Sequence, residues 1–138
     1  MKESLIDTDI LSEFLKGNSN VIFRFDEYIS FFGFINLSII TFYEVVNGLF
    51  YKDSKGKLPL FEEFCSYNKI LNISIEVAKV SALISADLRK RRIEIGHFDT
   101  LIAGTAIVNN LQLVTNNVKH FSRIQGLEID NWKNCQFL

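Results

Sequence analysis

Residues 96–117 read GHFDTLIAGTAIVNNLQLVTNN, and this stretch decides how the rest of the chain is read. A lone acid, Asp99, precedes small and apolar residues at helical spacing: Leu101, Ile102, Ala103, Ala106 and Ile107. A short apolar run, 111–114, follows and ends in Thr115, Asn116 and Asn117. An acid at the head of a buried helix, then a strand, then a polar tip, is how open α/β sheets assemble a site along one edge.

Upstream, the same grammar recurs. An apolar run, Ser4–Ile6, ends at Asp7. Thr8–Leu15 then places Ile10, Leu11, Phe14 and Leu15 on one helical face, with Thr8 or Asp9 as the predicted N-cap. Lys16-Gly17-Asn18 is a stop signal. Residues 21–32 predict an aromatic-rich helix broken at Gly33, and 34–39 a strand with Ser38 near its tip. Residues 41–51 predict a helix with Glu44 in its first turn. A charged turn at 52–57, a short helix at 60–67 and a strand at 70–73 follow. Ser74 is the predicted cap of a long helix, with Glu76 in its first turn and Arg89, Lys90, Arg91 and Arg92 closing it, as the helix dipole favours.

Downstream of Asn117 come Val118–Phe121, a turn at Gly126, a small strand at 127–129 and a tail carrying Trp132. The order is therefore β-α-α-β-α-α-β-α-α-β-α-β. Strands alternating with helices predict an α/β fold, a mostly parallel sheet covered on both faces. Ligands in such sheets bind beyond the carboxyl ends of the strands, and Asp7, Glu44 and Thr115 all follow strands on that edge. If the helix opened by Asp99 starts at the same edge, three acids far apart in sequence converge.

Composition narrows the function classes. A chain of 138 residues with 48% hydrophobic and 13% aromatic residues is expected to form one domain with a sizeable core, not a disordered segment. The net charge of −1 excludes nucleic-acid binding by bulk positive charge, so any such contact is local, metal-bridged or partner-assisted. Cys65 and Cys135 form no metal-binding spacing, and a reduced pair in a cytoplasmic protein is expected. No apolar leader and no membrane-length run is present in the sequence.

Three carboxylates in one cleft repel, by ~4 kcal/mol for two charges about 4 Å apart at an effective dielectric near 20. Protons or a divalent cation must compensate, and carboxylate donors suit Mg²⁺ or Mn²⁺. A cation so held activates water against a phosphodiester without a covalent nucleophile. Each acid alone reads equally as a helix cap or a dipole partner; their shared end of the fold is what makes them a site. Asp9 reads as a cap. His97 and His120 have no metal-ligand partners at helical spacing and read as surface or turn residues. Ser12 and Ser38 lack a nearby base, and Trp132 reads as packing.

Four segments carry a family resemblance: LIDTDILSEFL around Asp7, NLSIITFYEVVNGLF around Glu44, IGHFDTLIAGTAI around Asp99, and LVTNNVKHFSRIQGLEIDNW near the end. In this order and spacing they resemble the PIN-domain nucleases, specifically the VapC-type toxins of toxin–antitoxin pairs. The resemblance implies a three-layer α/β/α fold with a central, mostly parallel sheet of four to five strands, formed by residues 1–138 as one domain. It implies a Mg²⁺- or Mn²⁺-dependent endoribonuclease. Asp7, Glu44 and Asp99 match the family's principal acids, with Asp7 and Asp99 as direct metal ligands, and Thr115 matches a hydroxyl beside the cluster. The family often carries a fourth acid where this chain has Asn117, so one negative charge is missing and weaker metal affinity is expected. The resemblance also implies a homodimer and a small antitoxin that covers the cleft and supplies DNA binding. Residues 21–32 and 58–67 are candidate partner surfaces.

Two alternatives remain open at this point. Asp7-Thr8-Asp9 after a strand resembles the haloacid-dehalogenase phosphatases, although Leu11 and the non-acidic tip at 115–117 depart from their pattern. A PIN module without catalysis, acting by binding alone, is the other.

Overall fold

The computed structural model describes residues 1–134; Cys135, whose redox state the sequence addresses, lies outside the described residues. Strands β1 (Ser4–Ile6), β2 (Asn36–Ser38), β3 (Lys69–Leu71), β4 (Gln112–Val114) and β5 (Ile129–Asp130) form one sheet in the order β3-β2-β1-β4-β5. Every pairing is parallel. Helices α1 (Thr8–Leu15), α2 (Ser19–Phe32), α3 (Ile39–Tyr51), α4 (Leu58–Ser66), α5 (Ile75–Lys90), α6 (His97–Val108) and α7 (Val118–Phe121) connect them in the predicted order.

Successive strand residues point to opposite faces, and the core divides accordingly. Ile6 and Val114 pack with Leu11, Phe25 and Tyr28 on one face. Leu5 and Leu113 pack with Leu88, Ile102, Ala103 and Phe121 on the other. A sheet this buried on both sides is the middle of a three-layer α/β/α architecture. Trp132 is buried in the first cluster, edge-on to Phe25 and tilted against Tyr28.

Several boundaries differ from the sequence reading, each for a local reason. Asp7 itself, not Thr8 or Asp9, caps α1, accepting the Thr8 N–H at 2.8 Å. α2 starts at Ser19 because the Asn18 side chain accepts from two backbone N–H groups, and it ends at Gly33, whose φ of 88° suits glycine. α3 begins at Ile39 because the Ser38 hydroxyl accepts the Ile40 N–H, which cuts the preceding strand short. Pro59 lies in the first turn of α4, so that helix begins at Leu58. Ser74 caps α5 as predicted, accepting the Val77 N–H.

The small residues of α6 have a packing purpose. A Cβ added at Gly104 would lie 2.0 Å from Ser81 Oγ on α5. The two helices therefore touch across a bare backbone, and Asp99 lies in the first turn of α6. Among the described residues, no helix is long and apolar enough to cross a membrane.

Candidate active site

The strand order places the topological switch between β1 and β4, since the chain runs outward from β1 through β2 to β3 and then returns to its other side. A crevice opens at such a point beyond the carboxyl ends of the strands. Ile6 is in register with Val114, so the next residues, Asp7 and Thr115, meet across the crevice. The Thr115 hydroxyl donates to Asp7 Oδ2 at 2.8 Å, and it accepts the Asn117 N–H at 3.0 Å. Both side chains are buried.

Asp7 is the electrostatic centre. Burial, then the charge of Asp9, and to a lesser degree that of Asp99, push its carboxyl up to about 7. The bonds from Thr115 and from the Thr8 N–H oppose this without cancelling it. Asp9 is also raised, chiefly by burial, and is close enough to Asp7 to share a hydrogen bond when one of the two is protonated. Its carboxylate accepts the Ile10 N–H at 2.7 Å and the Asn116 N–H at 3.0 Å. Asp9 thus ties α1 to the β4 tip and belongs to the acidic edge, a role that reading it as the helix cap missed.

Glu44, on α3, accepts from the Thr8 hydroxyl at 2.7 Å. A hydroxyl has one proton to give, so the buried Thr41 hydroxyl, 2.9 Å from Thr8 Oγ1, donates in turn to Thr8. Glu44 is therefore oriented by the residue next to Asp7. Asp99 lies in the first turn of α6, whose N-cap is Gly96, so Asp99 is not a capping residue. Its partner is His120 on α7, with Nδ1 3.7 Å from Asp99 Oδ2. His120 remains a half-exposed turn residue, as the sequence reading has it, but the α7 turn also brings its Nδ1 against α6, which sequence spacing cannot display. His97 is exposed. Ser38 is occupied as a helix cap, so it offers no nucleophile.

The sequence predicted three converging acids. In the structure Asp7 interacts electrostatically with Asp9 and Asp99, while Glu44 is engaged through Thr8. Among the described residues, no three His, Cys, Asp or Glu side chains are grouped closely enough to hold a metal as they stand. The donors nonetheless fit a hard divalent cation. Asp7 keeps one unused lone-pair direction on each carboxylate oxygen, and Mg²⁺ commonly takes one or two carboxylates and fills its shell with water.

Comparison with known proteins places this geometry in a family. The PIN domain model matches residues 4–127. Ribonuclease VapC1 of Rickettsia felis is 36% identical over 129 residues, 91% of this chain and 92% of that protein. Ribonuclease VapC1 of Methanocaldococcus jannaschii is 33% identical over 127 residues, 91% and 85% of the two chains. Among solved structures, VapBC from Salmonella typhimurium bound to DNA superposes with a TM-score of 0.83 at 28% identity, over 96% of this chain and 99% of that one. VapBC2 from Rickettsia felis, bound to a promoter DNA fragment, matches with the same TM-score of 0.83 at 27% identity, over 94% and 98%. Together with the parallel five-stranded sheet, these matches identify the chain as a member of the PIN-domain family, of the VapC ribonuclease type.

Proposed function

We propose that this chain is a metal-dependent endoribonuclease and the toxin of a type II toxin–antitoxin pair, hydrolysing RNA phosphodiester bonds with an activated water. The observation that carries this reading is the buried Asp7 carboxyl, pushed up to about 7 by burial and by two neighbouring acids. A divalent cation relieves that cost. Asp7 and Asp99 would hold Mg²⁺ or Mn²⁺, with Glu44 at the same edge. Bound there, the cation would polarise a phosphoryl oxygen and lower the pKa of its water.

The chain's own groups do the positioning. Thr115 holds one oxygen of Asp7 and the Thr8 N–H holds the other, which leaves the carboxylate no freedom to rotate. Thr8, itself bonded to Thr41, holds Glu44, whose role would be to orient or deprotonate the attacking water. Asn117 offers a neutral amide where a fourth acid would add charge.

The relatives whose solved structures are VapBC complexes, two of them on DNA, support a small VapB-like antitoxin as partner and DNA contact through it. A groove of about 540 Å³ lined by Leu15, Val45, Leu49, Leu60, Phe61 and Phe64 opens beside Thr8 and Glu44, and an apolar antitoxin segment would fit there. α4, part of the segment 58–67 that the sequence singles out, contributes exposed Leu60 together with buried Phe61 and half-buried Phe64. A homodimer is part of the same reading.

The test uses protein purified without antitoxin, incubated with single-stranded and structured RNAs in Mg²⁺, Mn²⁺ or EDTA. Cleavage is expected with metal, is lost in EDTA, and falls at least ~100-fold in Asp99→Asn. Equal cleavage by wild type and variant overturns the assignment. No cleavage across a broad panel favours a second reading, a binding module, which the neutral Asn117 and the unclosed acid set support.

A further inference from the structure

Tyr43 precedes Glu44 on α3, and Phe98 precedes Asp99 on α6. Their rings meet edge to face, with centroids 5.4 Å apart and planes at 74°. Each of these acids therefore stands next in the chain to one ring of an aromatic pair that bridges the two helices. The pair is not core, since Tyr43 is 53% exposed and Phe98 43%. Two adjoining open rings beside the acidic edge are apolar surface that packing leaves unused. One residue earlier in α6, His97 lines a pocket together with Arg89 of α5, and Glu94 is the one acid on its wall. Arg91 is taken up by Asp87 at 2.7 Å, whereas Arg89 is exposed at that pocket. The first turn of α6 thus carries a pocket wall, a ring and an acid on three consecutive residues, His97, Phe98 and Asp99.

We propose that Tyr43 and Phe98 form a stacking platform for an unstacked base of the RNA, seated beside the acids, with an adjoining phosphate toward Arg89. The inference rests on the ribonuclease reading above and narrows its substrate to RNA whose bases are free at that point, in single strands, loops and bulges. Charge argues for this occupant. The protein carries a net charge of −1, so bulk attraction to the phosphate backbone is missing and affinity must come from local contacts. Stacking supplies affinity without charge, and it tolerates sequence because every base has a π face. Position argues the same way. A strand whose phosphodiester reaches Glu44 and Asp99 carries its bases past the residues next to them. A duplex keeps its bases stacked inside, so it offers the two rings nothing.

The experiment is binding of the full-length protein, in EDTA at low salt, followed by fluorescence anisotropy. The probes are a short single-stranded RNA, its duplex, and an abasic ribose-phosphate chain of the same length. Wild type is compared with Tyr43→Leu and Phe98→Leu, which remove a ring, and with Tyr43→Phe and Phe98→Tyr, which keep one. Thermal melts control for folding, light scattering reports the oligomeric state, and KM for RNA cleavage in Mn²⁺ is measured alongside. Wild type is expected to prefer the single-stranded RNA about tenfold over the abasic chain and over the duplex, a comparison that needs no variant. Each Leu variant should lose that preference and raise KM about tenfold, with salt dependence unchanged because no phosphate contact is lost. The ring-keeping variants should behave as wild type, and Arg89→Gln should lower the salt slope by about 1. Equal wild-type binding of the RNA and the abasic chain, or an unchanged preference and KM in the Leu variants, would overturn the platform, while cleavage by wild type leaves the nuclease intact. Leu variants that dissociate into smaller species with base preference unchanged would also overturn it, and would assign the rings to contact with a second copy. Neither RNA binding nor cleavage by wild type would overturn both readings.

Discussion

The Thr115 hydroxyl donates a 2.8 Å hydrogen bond to Asp7 Oδ2 across the switch point of the sheet. The bond joins the ends of β1 and β4, and the same hydroxyl accepts the Asn117 N–H. Thr115→Val keeps the shape and removes both functions. Stability should fall by ~1–3 kcal/mol, the usual cost of leaving a buried polar partner unmet. The loss should be larger at pH 8, where the Asp7 carboxyl is charged, than at pH 5. Thr115→Ser should recover most of it. Urea unfolding at the two pH values reads all three proteins.

Asp7 makes stability depend on pH with a definite sign. Its folded-state pKa, about 7, lies above its ordinary value of 3.8. Between those values the folded protein holds a proton that the unfolded chain has released. Stability is therefore full below about pH 4, declines as pH rises through that window, and levels off above about pH 7. The shift corresponds to a loss of up to ~4 kcal/mol for this one group. Asp7→Asn, which keeps a capping oxygen, should flatten the profile and be more stable than wild type at pH 8. A profile that rises from pH 5 to 8 in wild type would contradict the assignment.

Metal should reverse that penalty. Ligands bind as carboxylates, so cation binding competes with the Asp7 proton. Addition of Mn²⁺ should raise the Tm more at pH 8 than at pH 6, by an amount that grows with metal concentration. EDTA should abolish the rise, and Asp99→Asn should blunt it. Differential scanning fluorimetry across a metal titration is sufficient.

The α5–α6 contact carries a prediction remote from the chemistry. Gly104→Ala puts a methyl group 2.0 Å from Ser81 Oγ and 3.1 Å from Ser81 Cβ. Overpacking of this kind costs typically ~1–3 kcal/mol. Ser81→Ala alone should be close to neutral, because Ser81 Oγ is buried and without a hydrogen-bond partner. The double variant should regain part of the loss, giving a coupling energy in a double-mutant cycle. Additive effects would show that the helices relax apart instead.

Much of this was legible before the structure. Twelve elements alternate as the apolar periods predict, because a strand buried on both faces and a helix with one buried face leave different marks. Asp7 and Asp99 stood out because an acid beside a core-forming run is costly without a purpose. Boundaries were less legible. Whether Ser38 ends a strand or caps a helix depends on which N–H its hydroxyl meets, and Ile39 could continue either element. The tertiary contacts of Asp9 and His120 are not legible for a different reason. Their importance lies in contacts to Asn116 and Asp99, 107 and 21 positions away in sequence.

By itself, then, the sequence determined the order of strands and helices, the two-sided core and the edge where acids collect, since these follow from local hydrophobic periods and from which residue types end each element. Tertiary structure alone decided the strand order that sets β1 beside β4, the Thr115–Asp7 bond that results, the engagement of Glu44 by Thr8, and the approach of His120 to Asp99. Those relationships depend on which distant segments pack together, and long-range packing leaves no periodic trace in the chain that makes it.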